Sequence, residues 1–170
     1  VIAILAILAA AVVIVINPGE MLAQARDSQR MNDLGTLESA LTVYLAQTTA
    51  AVDLGACAAG GRCTRATAGA GPFGALVACA TVSTTNTTAG LGWVDVNFGS
   101  IAGGSPIPYL PIDPANGDTY FYGYMCTEGT SNVFELDSKL ESAKFASKLT
   151  ADGGNQAAWY EQGTAPGLAL

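Results

Sequence analysis

The chain opens on VIAILAILAAAVVIVI, a run without a charged or polar side chain, a glycine or a proline. A helix with one face in water keeps a polar stripe, and this run has none on any side. It needs an apolar surrounding on every face, and that need limits what the rest of the chain can be. An export signal would carry basic residues ahead of its apolar stretch, and none precedes this one. A core helix fits the length but not the missing stripe. A membrane helix takes about 20 apolar residues, so the expectation is a membrane-type segment that a few further apolar residues upstream of Val1 would complete. Ala3, Ala6, Ala9, Ala10 and Ala11 let helix backbones approach closely, which suits a membrane segment and a core of packed helices alike.

Asn17-Pro18-Gly19 ends the run. Proline removes a backbone donor and clashes with the preceding turn, and glycine loosens the backbone further, so a helix break is expected here. From Glu20 to Gln47 the pattern is helical again. At ~1.5 Å per residue this second part is roughly 40 Å long and the whole rod roughly 70 Å. Leu34, Leu37, Leu41, Tyr44 and Leu45 form one apolar stripe, which predicts that the last turns pack on the protein's own head. Projected back, the stripe meets Arg26, Asp27, Arg30 and Asp33. A charge cluster of this kind is ordinarily a solvated face. On a rod that packs beside identical rods it is expected to form salt bridges between subunits. The chain thus divides into a helix over residues 1–47 and a head over residues 48–170.

Composition excludes several function classes. The net charge is -7, which repels a phosphate backbone, so no nucleic-acid partner is expected. There is no histidine, which removes the commonest general base and the commonest metal ligand. Cys57, Cys63, Cys79 and Cys126 form no C-x-x-C pair. An even count beside a membrane-type segment predicts disulfides in an oxidising compartment. Of the three connectivities open to four cysteines, closure of the short loop between Cys57 and Cys63 is the easiest, which leaves Cys79 for Cys126.

In the head, Trp93–Phe98, Thr119–Cys126, Asn132–Leu136 and Ala158–Glu161 read as strands. Asp137–Lys148 reads as a short helix or an irregular segment, and residues 106–117 as a proline-rich series of turns. A helix on a small antiparallel sheet, an α+β architecture, is the economical arrangement. Asn86-Thr87-Thr88 is a glycosylation sequon. Asp113, Asn116 and Asp118 form an oxygen-rich turn, and Asp137 and Glu141 with Asp152–Asn155 a second acidic group. Neither has EF-hand spacing, and such turns ordinarily bond their own backbone. No metal, cofactor or catalytic cleft is assigned, and an enzyme is not expected.

The run VIAILAILAA leading into Asn-Pro, followed by LAQARDSQRMNDLGTLESALTVYL, resembles the N-terminal helix of type IV pilins and pseudopilins. INPGEMLAQARDSQR, Trp93–Phe98 and LPIDPANGDTYFYGY are similar to segments of pilins from candidate-phyla bacteria. The helix motif covers about a quarter of the chain. The family's processing site and fifth-position glutamate fall ahead of Val1, so no residue here takes those roles. The resemblance implies the type IV pilin fold and a disulfide-containing head. It implies a subunit held in the inner membrane, extracted by a pilus assembly machinery and packed into an extracellular helical homopolymer, whose open-ended growth follows from a contact that does not close. The filament core would be Val1, Ile2, Ile4, Leu5, Ile7, Leu8, Val12, Val13, Ile14, Val15 and Ile16. A major pilin, serving adhesion or twitching motility, is the expectation. A major pseudopilin of a type II secretion system and a monomeric membrane-anchored adhesin are the alternatives.

Overall fold

The computed structural model describes residues 1–47, 52–57, 60–73, 78–129 and 132–165, leaving out the side chains of Ala10, Ala11 and residues 13–16. Two consecutive helices, α1 (Ile2–Ile16) and α2 (Pro18–Gln47), precede a sheet of six strands. The strands are β1 (Gly61–Cys63), β2 (Gly69–Ala70), β3 (Ala78–Val82), β4 (Tyr122–Thr127), β5 (Val133–Ser138) and β6 (Tyr160–Gly163), in the spatial order β2-β3-β1-β4-β5-β6. The architecture is α+β.

The helix break falls at Asn17, with a left-handed φ of 45°. Asparagine tolerates that conformation better than most residues. Asn17 also starts α2: its backbone and side-chain oxygens both accept from the Glu20 N–H. Pro18 occupies the first helical position, where its missing donor costs nothing. Glu20 adds an acid to the positive end of α2 and accepts from the Lys144 amide of the head.

The buried stripe of α2 reads Ala23, Asp27, Arg30, Leu34, Leu37, Leu41 and Tyr44, with Ala40 beside it. Its apolar part packs on Tyr122, Tyr124, Phe134 and Leu136 of the sheet and on Trp93, Val94, Val96 and Phe98. Leu45 is only partly buried at its end. Tyr122 donates its hydroxyl to Asp33 at 2.8 Å, Tyr124 to the Leu54 carbonyl at 2.8 Å, and Trp93 its indole N–H to the Pro111 carbonyl at 2.9 Å. Each large aromatic thus buries its body and satisfies its polar tip. A smaller cluster, built from Cys63, Phe73, Cys79, Phe121 and Met125, covers part of the opposite face. Phe73 reaches that face because Gly61 and Gly123 lack side chains: a Cβ at either would run into its ring.

The structure corrects three expectations. The sheet is mixed rather than antiparallel, since β1 pairs with β3 in parallel. The chain can return in the same direction because β2 pairs antiparallel to β3 first. Trp93–Phe98 is not a strand: it is irregular, its one pairing an isolated bridge from Asn97 to Ala89. Its alternation comes from burial in a folded loop, and period-two patterning does not require sheet partners. The third correction is the disulfide pairing. Cys57 bonds Cys126 and Cys63 bonds Cys79. Loop closure favours Cys57–Cys63, but pairing β1 with β3 aligns Gly61 with Cys79 and brings Cys63 within reach, with Cα atoms 5.6 Å apart. None of the described helices is long and apolar enough to cross a membrane. The 15 residues of α1 rise roughly 22 Å, short of the ~30 Å hydrocarbon core.

Non-reducing peptide mapping with trypsin and Asp-N tests the pairing, because cleavage after Arg62 and Arg65 and before Asp95 separates all four cysteines. Peptides linking Cys57 to Cys126 and Cys63 to Cys79 are expected. The Cys57→Ser/Cys126→Ser variant, which opens a closed loop spanning 69 residues, should lose about 2–5 kcal/mol in denaturant unfolding.

Candidate assembly interface

Two features of the N-terminal half stand out, an apolar helix that touches water and a polar junction that does not. On α1, Val1, Ile2, Ile4, Leu5, Ile7, Leu8 and Val12 are 54–95% exposed. Val13, Ile14, Val15 and Ile16 continue the sequence pattern, but their side chains lie outside the described residues. Met21 and Leu22 extend the exposed apolar surface into α2 at 57% and 60%. Soluble monomers rarely expose contiguous apolar patches beyond a few hundred Å², and larger ones mark interaction sites. Burial of each such side chain is worth about 1.5–3 kcal/mol. Several together supply on the order of 10 kcal/mol, comparable with the ~4–15 kcal/mol cost of association.

The junction lies along the first half of α2. Arg30 is fully buried and all three of its guanidinium nitrogens are engaged. Nε and Nη2 grip Asp113 at 2.6 and 3.1 Å. Nη1 donates to Asp27 at 2.9 Å and to Glu141 at 2.6 Å, and the Tyr120 ring lies 4.7 Å from the guanidinium. Arg26 adds a two-pronged pair to Glu141, both bonds 2.7 Å long. The acids have further donors. Asp27 accepts from the Glu141 and Ser142 amides at 2.8–3.1 Å, and Asp113 from the Ala115 and Asn116 amides. The turn from Asp113 to Asp118 therefore bonds its own backbone and an arginine.

These contacts set the charge states. Hydrogen bonds from Arg26, then from Arg30, outweigh burial and hold the Glu141 carboxyl down to about 2. Burial pulls the Arg30 guanidinium down, but its bonds to Asp113 and Glu141 prevail and raise it above its usual value. Asp33, half-buried under Tyr122, is pushed up by burial.

Arg26, Asp27, Arg30 and Asp33 were expected to pair between subunits. They pair instead within the chain, with Glu141, Asp113, the 141–142 amides and Tyr122. The head-packing stripe does not end before them, because Asp27 and Arg30 are its continuation. The sequence carries one sign of this: Ala23, Asp27, Arg30 and Leu34 keep the spacing of four, three and four residues that runs on through Leu37 and Leu41. Glu141 and Asp113, the counter-charges, were not identified as partners of the rod.

On the outer face of the sheet, Glu135, Asp137 and Glu161 are all buried, with one carboxylate oxygen from each lying within 4.8 Å of the others. Burial first, then the neighbouring Glu135 and Glu161, push the Asp137 carboxyl well above the usual range. Asp137 was noted in the sequence as part of an acidic group with Glu141, but the two are separate: Glu141 joins the helix junction and Asp137 faces away from it. Glu135 and Glu161 were missed, because only strand register reveals that they converge.

No protein-family model, characterised protein or solved structure matches this chain.

Replacement of Arg30 by methionine leaves Asp27 and Asp113 buried without their cation, and unfolding should weaken by about 3–5 kcal/mol. Arg26→Ala, at the rim, should cost far less. Glu141 is held below its ordinary value of 4.5, so its contribution is full above that pH and disappears as pH falls through about 2. The stability gap between wild type and Glu141→Gln should accordingly be constant near neutrality and shrink from about pH 4.5 downward, read by chemical denaturation across pH.

Proposed function

We propose that this chain is the major structural subunit of a type IV pilus and polymerises through α1. The observation that carries the proposal is the exposure of an all-apolar helix at one end of a polar head. A rod with no polar face is buried by lipid or by copies of itself. In a filament, packing among identical rods removes it from water. The pilin-like sequence VIAILAILAA…NPGEMLAQARDSQR supports the same reading, as do the long helix laid on a sheet and the two disulfides.

In this proposal α1 forms the filament core, α2 connects it to the head, and the head faces solvent outside the cell. Insertion in the inner membrane before assembly, and extraction by a pilus assembly machinery, rest on the resemblance and not on the length of α1. The subunit acts by assembling and carries no reaction.

Electron microscopy of material sheared from cells, with mass spectrometry of the same fraction, tests the proposal. Filaments containing this chain are expected. Leu8→Lys should abolish them, because a charge would enter the apolar core, while its head keeps both disulfides and its unfolding midpoint. Full-length protein that stays monomeric and monodisperse in plain buffer would exclude the reading. Normal filament yield from Leu8→Lys would remove α1 as the core.

A further inference from the structure

The sheet has a buried acidic cluster on the face turned away from α2. Glu135 and Asp137 alternate with Phe134 and Leu136 along β5, so the acids point outward while the apolar pair packs in the core. In register, Asp137 lies between Gly123 of β4 and Glu161 of β6. The absent side chain of Gly123 leaves it no partner on one flank, and the partner on the other is a second acid. Glu135, Asp137 and Glu161 are at most 1% exposed. Among the described residues, neither oxygen of Asp137 meets a hydrogen-bond donor. No arginine or lysine nitrogen of the described residues lies within the 4.0 Å of an ion pair from Asp137 or Glu161.

The surrounding chain concentrates charge here instead of relieving it. Glu161 is fixed by the Asn155 and Gln156 amides at 3.3 and 2.8 Å. The loop comes this near because residue 154 is glycine: any Cβ there would collide with the Glu161 carboxylate. Asp152 accepts from the Glu161 amide at 3.0 Å, which places a fourth acid beside the group. Glu161 and Asp152 also line a hollow of about 260 Å³ open at the β6 edge of the sheet, together with Glu38, Lys148 and Tyr160.

Carboxylates removed from water without a counter-charge cost several kcal/mol each, and mutual repulsion adds to this. Strand backbone holds Asp137 between Glu135 and Glu161, with no hydrogen-bond donor on either of its oxygens among the described residues. We propose that Glu135, Asp137 and Glu161 bind a calcium ion, which fastens the loop between β5 and β6 to the outer face of the sheet. The donor set is oxygen only: the chain has no histidine, and its four cysteines are in disulfides. Hard oxygen donors suit calcium or magnesium, not zinc or copper. Calcium accepts irregular geometry at 2.3–2.6 Å, whereas magnesium demands a near-ideal octahedron and keeps its waters. Ligands fixed on adjacent strands, with backbone loops around them, match the first requirement. The site is independent of α1 and of how the chain assembles.

Full-length protein in detergent is stripped with EGTA and titrated with terbium, whose luminescence Trp159, two residues from Glu161, should sensitise. Calcium should displace it. Millimolar calcium should raise the unfolding midpoint by roughly 5 °C over EGTA, the shift expected when the ion is present at tens of times its Kd. Asp137→Asn should fold at least as well as wild type in EGTA, since it relieves the repulsion, but lose both responses. Glu161→Gln, which keeps its acceptors for the 155 and 156 amides, should lose them too. An absence of both responses in the wild-type chain would overturn the site, leaving a cluster that shares protons. Full responses in both variants would place the ion elsewhere, and equal stabilisation by magnesium would overturn its assignment to calcium.

Discussion

Arg30 is the point on which the packing of helix against head depends. A guanidinium cannot shed its charge in a protein, so burial obliges the chain to bring acceptors to every nitrogen. The acceptors come from three places far apart in sequence: Asp27 one turn earlier on α2, Asp113 in the turn before β4, and Glu141 after β5. The backbone follows. Asp27 is tied to the 141 and 142 amides, and Asp113 organises its own turn through the 115 and 116 amides. A stripe of leucines spaced by three and four residues would pack nearly as well one turn out of step. A guanidinium with four charged hydrogen bonds would not, and this fixes the register of α2 against the sheet. Replacement of the whole network by apolar residues need not weaken the fold; its contribution is to exclude the neighbouring alignments.

What could be read from the sequence divides along the same line. Local chemistry was legible. The apolar run, the break at Asn17-Pro18 and the Leu34–Tyr44 stripe each depend on residues within a turn or two of one another, and so do the strand cores at Tyr122–Cys126 and Val133–Leu136. Features set by distant partners were not. Arg26, Asp27, Arg30 and Asp33 look like a solvated or neighbour-facing collar because fully buried charges are rare, and nothing near them in sequence neutralises Arg30 from the head side. Cys57 looks closest to Cys63 because loop entropy counts only chain length. The fold overrides it by pairing β1 with β3 and placing Cys126 beside Leu54, whose carbonyl is 3.4 Å from its sulfur. Glu135, Asp137 and Glu161 converge only through the register of β5 with β6, which no local pattern encodes.

The two halves of the rod therefore stand in opposite physical states. Along α2, polar and apolar demands are met inside the chain, by Asp113, Glu141, Tyr122 and the aromatic core. Along the described side chains of α1, they are met by nothing among the described residues. The boundary is a single residue, Asn17, which ends one helix and begins the next. In the proposed filament this separation has a mechanical consequence. The junction at Arg30 keeps the head oriented on α2 whatever the neighbours do, while the direction of α1 is set at one left-handed residue, Asn17, whose carbonyl already belongs to the first turn of α2. Packing forces between rods can then be absorbed at Asn17 without opening the polar network. A continuous helix through 14–22 would instead pass those forces to Arg30, where a displacement of an ångström or so breaks charged hydrogen bonds that have no water to replace them.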